Sequence, residues 1–220
     1  LTAYLAELDQ FIEREIKPLE AADDNIRFFD HRREWARTDF DKGGLPRHEW
    51  ELLLRKAKNL ADAAGHLRFA IPKRYGGKDG SNLWMAVIRE HFASKGLGLH
   101  NDLQNEHSIV GNLPIVTMLD RYGTDEQKAM IDGSIKGKYR ITFGLTEPHH
   151  GSDATHMETR AVRETRGGRA GFRIDGEKMW ITGMHVATHC ATFARTSGEQ
   201  GEAPARAVVG DVHRAVDTHA

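Results

Sequence analysis

Part-way along this chain the spacing of apolar side chains changes from a helical period to a period of two, and that change most limits what it can fold into. Apolar residues recur at positions 4, 5, 8, 11, 12 and 16, the stripe of an amphipathic helix that Pro18 is expected to end. Trp50, Leu53, Leu54, Ala57, Leu60, Ala61 and Ala64 mark a second helix, closed by Gly65. Ser81 can cap a third, carrying Trp84, Val87, Ile88 and Phe92 on an apolar surface wide enough for burial on more than one side. Gln104 to Tyr122 reads as a buried helix kinked near Pro114, and Thr124-Asp-Glu-Gln127 as the capping box of one more.

Beyond these helices, Ile141, Phe143 and Leu145 alternate with smaller or polar residues, and Thr159 to Arg163 resumes the alternation. Gly167-Gly168 punctuates one connection. Asp175-Gly176 predicts a two-residue hairpin joining Phe172–Ile174 to Lys178–Thr182. Val186–Arg195 and Ala205–Val212 supply two further strands, and Ser197–Pro204 is a polar loop. Helices followed by antiparallel strands predict an α+β chain with separate layers or domains, not an alternating α/β fold.

At 220 residues the chain can form one large domain or two small ones. Lys and Arg number 31 against 32 Asp and Glu, so no global field favours nucleic acid or an anionic membrane, and any anionic ligand must be held locally. Cys190 is the only cysteine. That excludes an intrachain disulfide framework and a Cys-cluster zinc site, and it fits a reducing, cytoplasmic setting. No apolar run approaches the roughly 20 residues of a membrane span, and the acidic start at Leu1–Asp9 is unlike a signal or transit peptide. Because it begins without Met, the chain is expected to be a fragment or processed product.

Two segments carry the chemistry, Leu145-Thr-Glu-Pro-His-His-Gly-Ser-Asp153 and Lys178-Met-Trp-Ile-Thr182. On a strand, Trp180 and Thr182 share one face, so a flat aromatic surface and a hydroxyl donor point the same way. Pro148 biases Glu147 toward extended backbone, and Gly151-Ser-Asp153 is expected to form a tight turn whose exposed amides and hydroxyl can hold phosphate or carbonyl oxygens. Each element alone is ordinary, because Gly, Ser and Asp dominate turns and a strand Trp usually packs in a core. Together they are specific. His149 and His150 read as solvated loop residues, with contact to a ligand phosphate as the alternative. His185, His189 and Cys190 lack an acidic helper at metal-binding spacing, so no metal site is predicted. Arg160, Arg163, Arg166, Arg169 and Arg173 read as an exposed hairpin face, with an acidic partner or a nucleotide as the alternative.

Read in order, the chain resembles the acyl-CoA dehydrogenase family over nearly its whole length. Phe11–Pro18 is similar to the family's first helix, Ile71-Pro-Lys-Arg-Tyr-Gly-Gly77 to its Pro-x-x-Tyr-Gly-Gly loop, and Tyr122–Gln127 to the entry of its last N-terminal helix. Leu145–Pro148 with Gly151–Asp153, then Gly176–Thr182, resemble its middle β-domain. The resemblance implies an N-terminal all-α helical bundle domain over 1–138, followed by an incomplete antiparallel β-barrel or sandwich-like domain over 139–220. It also implies an FAD cofactor. Phe143, Leu145, Thr146, Gly151, Ser152, Trp180, Ile181 and Thr182 would be its contacts, with Trp180 over a ring face and Thr182 hydrogen-bonding near N5. Ser152 would lie between flavin and the pantetheine arm of an acyl-CoA substrate.

In the family a carboxylate takes the substrate's α-proton and the β-hydrogen leaves as hydride to flavin N5, giving a trans-2-enoyl thioester. Electrons then pass to an electron-transferring flavoprotein, and the enzyme is a homo-oligomer. The family's catalytic glutamate belongs to a C-terminal helical domain absent from these residues, so the base is expected beyond residue 220 and the catalytic residue here is unknown. Glu147 is expected to serve a turn or inter-strand pairing instead. These residues alone are therefore expected to be catalytically incomplete and to bind FAD weakly. The alternatives are an oxygen-using flavoenzyme of the same fold (acyl-CoA oxidase, nitroalkane oxidase or monooxygenase) and a truncated, non-catalytic binding or assembly module.

Overall fold

A computed structural model describes residues 1–29, 33–101, 108–197 and 206–211, with backbone only at 33–34 and 206–211. The chain divides into two compact units, Leu1–Lys136 and Gly137–Ala220.

The first unit is helical. Helix α1 (Thr2–Phe11) does not stop at Pro18: it passes through a widened turn at Ile12–Ile16 and continues as α2 (Lys17–Ala21). In that turn the Lys17 N–H donates to the Ile12 carbonyl, five residues back. Proline has no N–H to give to the ladder, and the widened turn just before it lets the helix continue where a regular one would break. A short helix α3 (Arg33–Arg37) and a small ladder of β1 (Thr38–Asp39) with β2 (Leu45–Pro46) precede α4 (His48–Ala63). Helix α4 buries Trp50, Leu53, Leu54, Ala57 and Ala61, as its spacing predicts.

Ser81 caps α5 (Asn82–Ala93), its hydroxyl oxygen accepting the Trp84 N–H at 3.2 Å. Only Ile88 and Phe92 of α5 are buried, whereas Leu83 and Trp84 stay exposed, so one side of the helix is covered and not the two its composition suggested. Nor does a helix run across Pro114. Helix α6 (Pro114–Tyr122) begins there, because proline at the first helical position loses nothing by lacking a donor; residues 104–107 of the expected helix lie outside the described residues. The Thr124–Gln127 capping box forms as predicted at α7 (Asp125–Lys128), and α8 (Ile131–Ile135) follows. Leu8, Phe11, Ile16, Phe28, Trp50, Leu54, Ile88, Phe92 and Leu99 belong to one continuous apolar core.

The second unit contains β3 (Ile141–Gly144), β4 (Arg160–Arg166), β5 (Arg169–Asp175), β6 (His189–Ala194) and β7 (Arg206–Asp211). The strand order β3-β6-β7 corrects the expectation of an antiparallel barrel: within this sheet β3 runs parallel to β6 and β6 antiparallel to β7, and no closed barrel exists among the described residues. The chain between β3 and β6 is a long excursion with its own hairpin, and a crossover of that length is what parallel neighbours need. Alternation identifies a strand but says nothing about the direction of its partner.

Of the two turns read from the sequence, Gly167-Gly168 closes a hairpin and Asp175-Gly176 does not. Strands β4 and β5 pair from Arg160↔Asp175 to Arg166↔Arg169, with Gly167 and Gly168 at the tip with φ 57° and 76°. A two-residue turn with both φ values positive suits Gly-Gly, whereas at Asp175-Gly176 the chain turns away with no partner strand. A Cβ on Gly176 (φ 146°) would lie 2.5 Å from the Thr159 hydroxyl, which explains that glycine by close approach instead. The hairpin joins the base of the sheet where the Ala161 N–H donates to the Arg195 carbonyl and the Arg195 N–H to Thr159, both at 2.9 Å.

Candidate functional site

Strand β3 ends at Gly144, and the chain then enters the segment singled out by its sequence. Glu147 and His150 exchange both backbone hydrogen bonds, at 3.0 and 3.3 Å, so the tight turn has Pro148-His149 at its apex. It does not lie at Gly151–Asp153. There the Asp153 carboxylate accepts from the Thr155 N–H (3.2 Å) and hydroxyl (2.6 Å), opening a short helical turn at Ala154–His156. Hydrogen bonds from Thr155, and then from His156, hold the Asp153 carboxyl below its usual range. His150 is not simply solvated: its Nε2 lies 3.3 Å from Glu158, and its ring stacks with that of His156 at 6.2 Å.

The second segment is not a strand. Lys178–Ile181 is irregular, and Trp180 has φ 58°, a left-handed conformation that a bulky residue rarely adopts. The shared-face relation of Trp180 and Thr182 therefore fails, because strand alternation requires extended backbone at both. The two segments nevertheless meet. The Met179 N–H donates to the Thr146 carbonyl at 3.0 Å, and the Lys178 Nζ donates to the Leu145 carbonyl at 3.0 Å. Further along, Thr142 Oγ1 lies 3.9 Å from the Met184 sulfur. Residues 178–184 thus lie beside 142–146.

What joins them most firmly is a buried ion pair. The Glu147 side chain, 3% exposed, accepts from Lys178 Nζ at 2.8 Å, and Lys178 is itself 11% exposed. The same carboxylate accepts the backbone N–H of Glu158 at 2.5 Å and of Thr159 at 3.0 Å. Burial by itself would raise this carboxyl, but the Lys178 ammonium and these donors outweigh it and hold the group down at about 2. Glu147 is therefore a permanent carboxylate engaged on every side, ill suited to accept a proton. Sequence reasoning gave Glu147 a pairing role but did not find its partner; opposite charges in the two motifs were the available signal.

In the same two segments, Phe143 (37% exposed), Leu145 (36%) and Trp180 (82%) leave apolar surface open, and Phe143 stacks on Phe193 at 6.1 Å. Ser152 and Thr182 are exposed and Thr146 half-buried, and their hydroxyls make no hydrogen bond among the described residues. Ile181 is half-buried, its carbonyl accepting the Met184 N–H at 3.2 Å. Gly151 is exposed with open space around it, so packing does not demand glycine there. Uncommitted hydroxyls beside exposed aromatic and aliphatic faces suit a large planar ligand with polar edges, so the residues present fit a flavin. Among the described residues no group of His, Cys, Asp or Glu is arranged to hold a metal ion.

The acyl-CoA dehydrogenase N-terminal domain matches residues 2–132, and the acyl-CoA dehydrogenase middle domain matches residues 142–214. The chain belongs to the acyl-CoA dehydrogenase family. A probable acyl-CoA dehydrogenase of Bacillus subtilis (strain 168) is 31% identical over 157 residues, covering 71% of this chain and 25% of the relative. The caffeyl-CoA reductase-Etf complex subunit CarC of Acetobacterium woodii is 29% identical over 149 residues, 67% of this chain and 37% of that protein. A glutaryl-CoA dehydrogenase of Mycobacterium smegmatis in complex with FADH2 shares the fold, with a TM-score of 0.58 at 24% identity over 94% of this chain and 44% of that one. The chain thus spans less than half the length of each of these family members. No helix among the described residues is long and apolar enough to cross a membrane.

Proposed function

We propose that the chain is the N-terminal helical domain (1–138) and part of the middle domain (139–220) of an FAD-dependent dehydrogenase acting on an acyl-CoA thioester. The observation that carries this reading is the meeting of Leu145–Glu147 with Lys178 and Met179, while Phe143, Leu145 and Trp180 stay exposed. When bound, FAD supplies a two-electron acceptor for hydride abstracted at the substrate's β-carbon. Phe143 and Leu145 offer an apolar rim, Trp180 covers a ring face, and Gly151 leaves room for close approach. The hydroxyls of Thr146, Ser152 and Thr182 and the backbone at Ile181 supply hydrogen-bonding groups, with Ser152 also facing the pantetheine arm of the thioester. Orientation of this kind is what a protein contributes to cofactor chemistry. Glu147, engaged by Lys178 and two amides, is left out of proton transfer.

The partners that follow from family membership are an electron-transferring flavoprotein and further copies of the chain. CarC, a subunit of a reductase-Etf complex, supports the first. The test is fluorescence titration of the chain with FAD. Saturable quenching that Trp180→Ala weakens supports the reading, whereas the absence of any FAD binding would remove it.

A further inference from the structure

On the FAD reading above, we propose that the Glu147–Lys178 ion pair is a positioning device that holds Trp180 in its left-handed conformation and so preforms the aromatic face offered to the cofactor. A left-handed backbone at a bulky residue is unfavourable and persists only where its surroundings over-determine it. Around Trp180 that is the case. Of the two residues immediately before it, Lys178 is fastened by its ammonium to the Leu145 carbonyl and to Glu147, and Met179 by its N–H to the Thr146 carbonyl. Glu147 in turn is fastened to the base of the hairpin through the amides of Glu158 and Thr159. Trp180 itself is 82% exposed, so it is not packed in place by a core. Its conformation is imposed from the preceding residues, and the pair links all three stretches of chain that meet there.

Removing the pair while leaving no lone buried charge isolates this role, because a double replacement avoids the penalty of an unpaired ion. The variant Glu147→Gln/Lys178→Met retains one carbonyl acceptor where the carboxylate offered a separate oxygen to each amide, and it keeps the length of the lysine stem. Released from the clamp, the segment relaxes to extended backbone, and apparent affinity falls with the fraction of chains still in the competent conformation. That predicts an FAD Kd raised about tenfold, given the left-handed penalty. In the full chain without FAD, exchange of the Met179 amide accelerates by a similar factor, about tenfold. Lys178→Arg, which keeps the charge, restores most of both quantities.

Unchanged Met179 exchange in the double variant would overturn the proposal, and so would faster exchange with an unchanged Kd, which would make the pair structural only. A wild-type chain that binds no FAD would remove the functional reading instead. Amide exchange then decides the clamp alone, accelerated exchange upholding it and unchanged exchange ending it.

Discussion

The two units bury different things. The helical unit closes an apolar core of Leu, Ile, Phe and Trp side chains with Phe28, Ile88 and Phe92 fully enclosed. Among the described residues of the β unit the buried set is small, chiefly Met157, Ala161, Cys190, Ala191 and Ala194, and beside it lie the buried polar residues Glu147, Thr159 and Arg195. One unit is organised by non-directional burial, which tolerates small shifts. The other is organised by directional hydrogen bonds and the buried Glu147–Lys178 ion pair, which fix geometry at the cost of sensitivity to any missing partner. The second arrangement suits a region that must present surface to a ligand, since side chains committed to a core cannot also line a site.

The largest effect should come from opening the apolar core. Phe92→Ala is expected to cost about 4 kcal/mol in the helical unit, read from denaturant unfolding; a loss below about 1 kcal/mol would mean that burial does not dominate there. Next is Glu147→Gln alone, which strands the buried Lys178 charge and is expected to cost about 3 kcal/mol at neutral pH. Amide exchange at Glu158 and Thr159 would report it, and undiminished protection at both would contradict the central role of the pair.

Acid separates the units further. Glu147 titrates at about 2 when folded against 4.5 when free, so its stabilisation is complete above about pH 4.5 and is lost as pH falls toward 2. His66 and His100 are held below 6.5 chiefly by burial. The unfolded chain therefore takes up those protons first, and their contribution is lost as pH falls below 6.5. Glu20, raised by burial, works in the opposite direction at lower pH. Exchange measured by unit between pH 7 and 5 should show the helical unit loosening first; earlier loosening of the β unit would reverse the assignment.

The smallest stability effect and the sharpest test is Trp180→Gly. Glycine removes the left-handed strain, so stability should change by less than about 1 kcal/mol, in either direction, while FAD affinity falls about tenfold with the loss of an aromatic face. A large loss of stability would place Trp180 in the architecture instead of the site.

Much of the helical unit was legible because its signals are local. The stripe of α4, the Ser81 cap and the Thr124–Gln127 box each depend on residues within a turn or two of one another. Where reading failed there, at Pro18 and Pro114, the error concerned how proline is accommodated: by a widened turn before the first, and by helix initiation at the second. In the β unit both motifs were recognisable, but the geometry of the second was not. Nothing local to Lys178-Met-Trp-Ile-Thr182 reveals that Trp180 leaves the extended region, because the cause is a carboxylate more than thirty positions upstream.

Where helix gives way to strand, which short segments carry chemistry and to which family they belong can all be read from the residues in order, since periodicity, capping and motif order are properties of neighbouring residues. Tertiary contacts alone make β3 run parallel to β6, leave Asp175-Gly176 without a hairpin and bring Glu147 to Lys178. Strand direction and the pairing of buried charges depend on distant segments whose attraction becomes strong only once water is excluded between them.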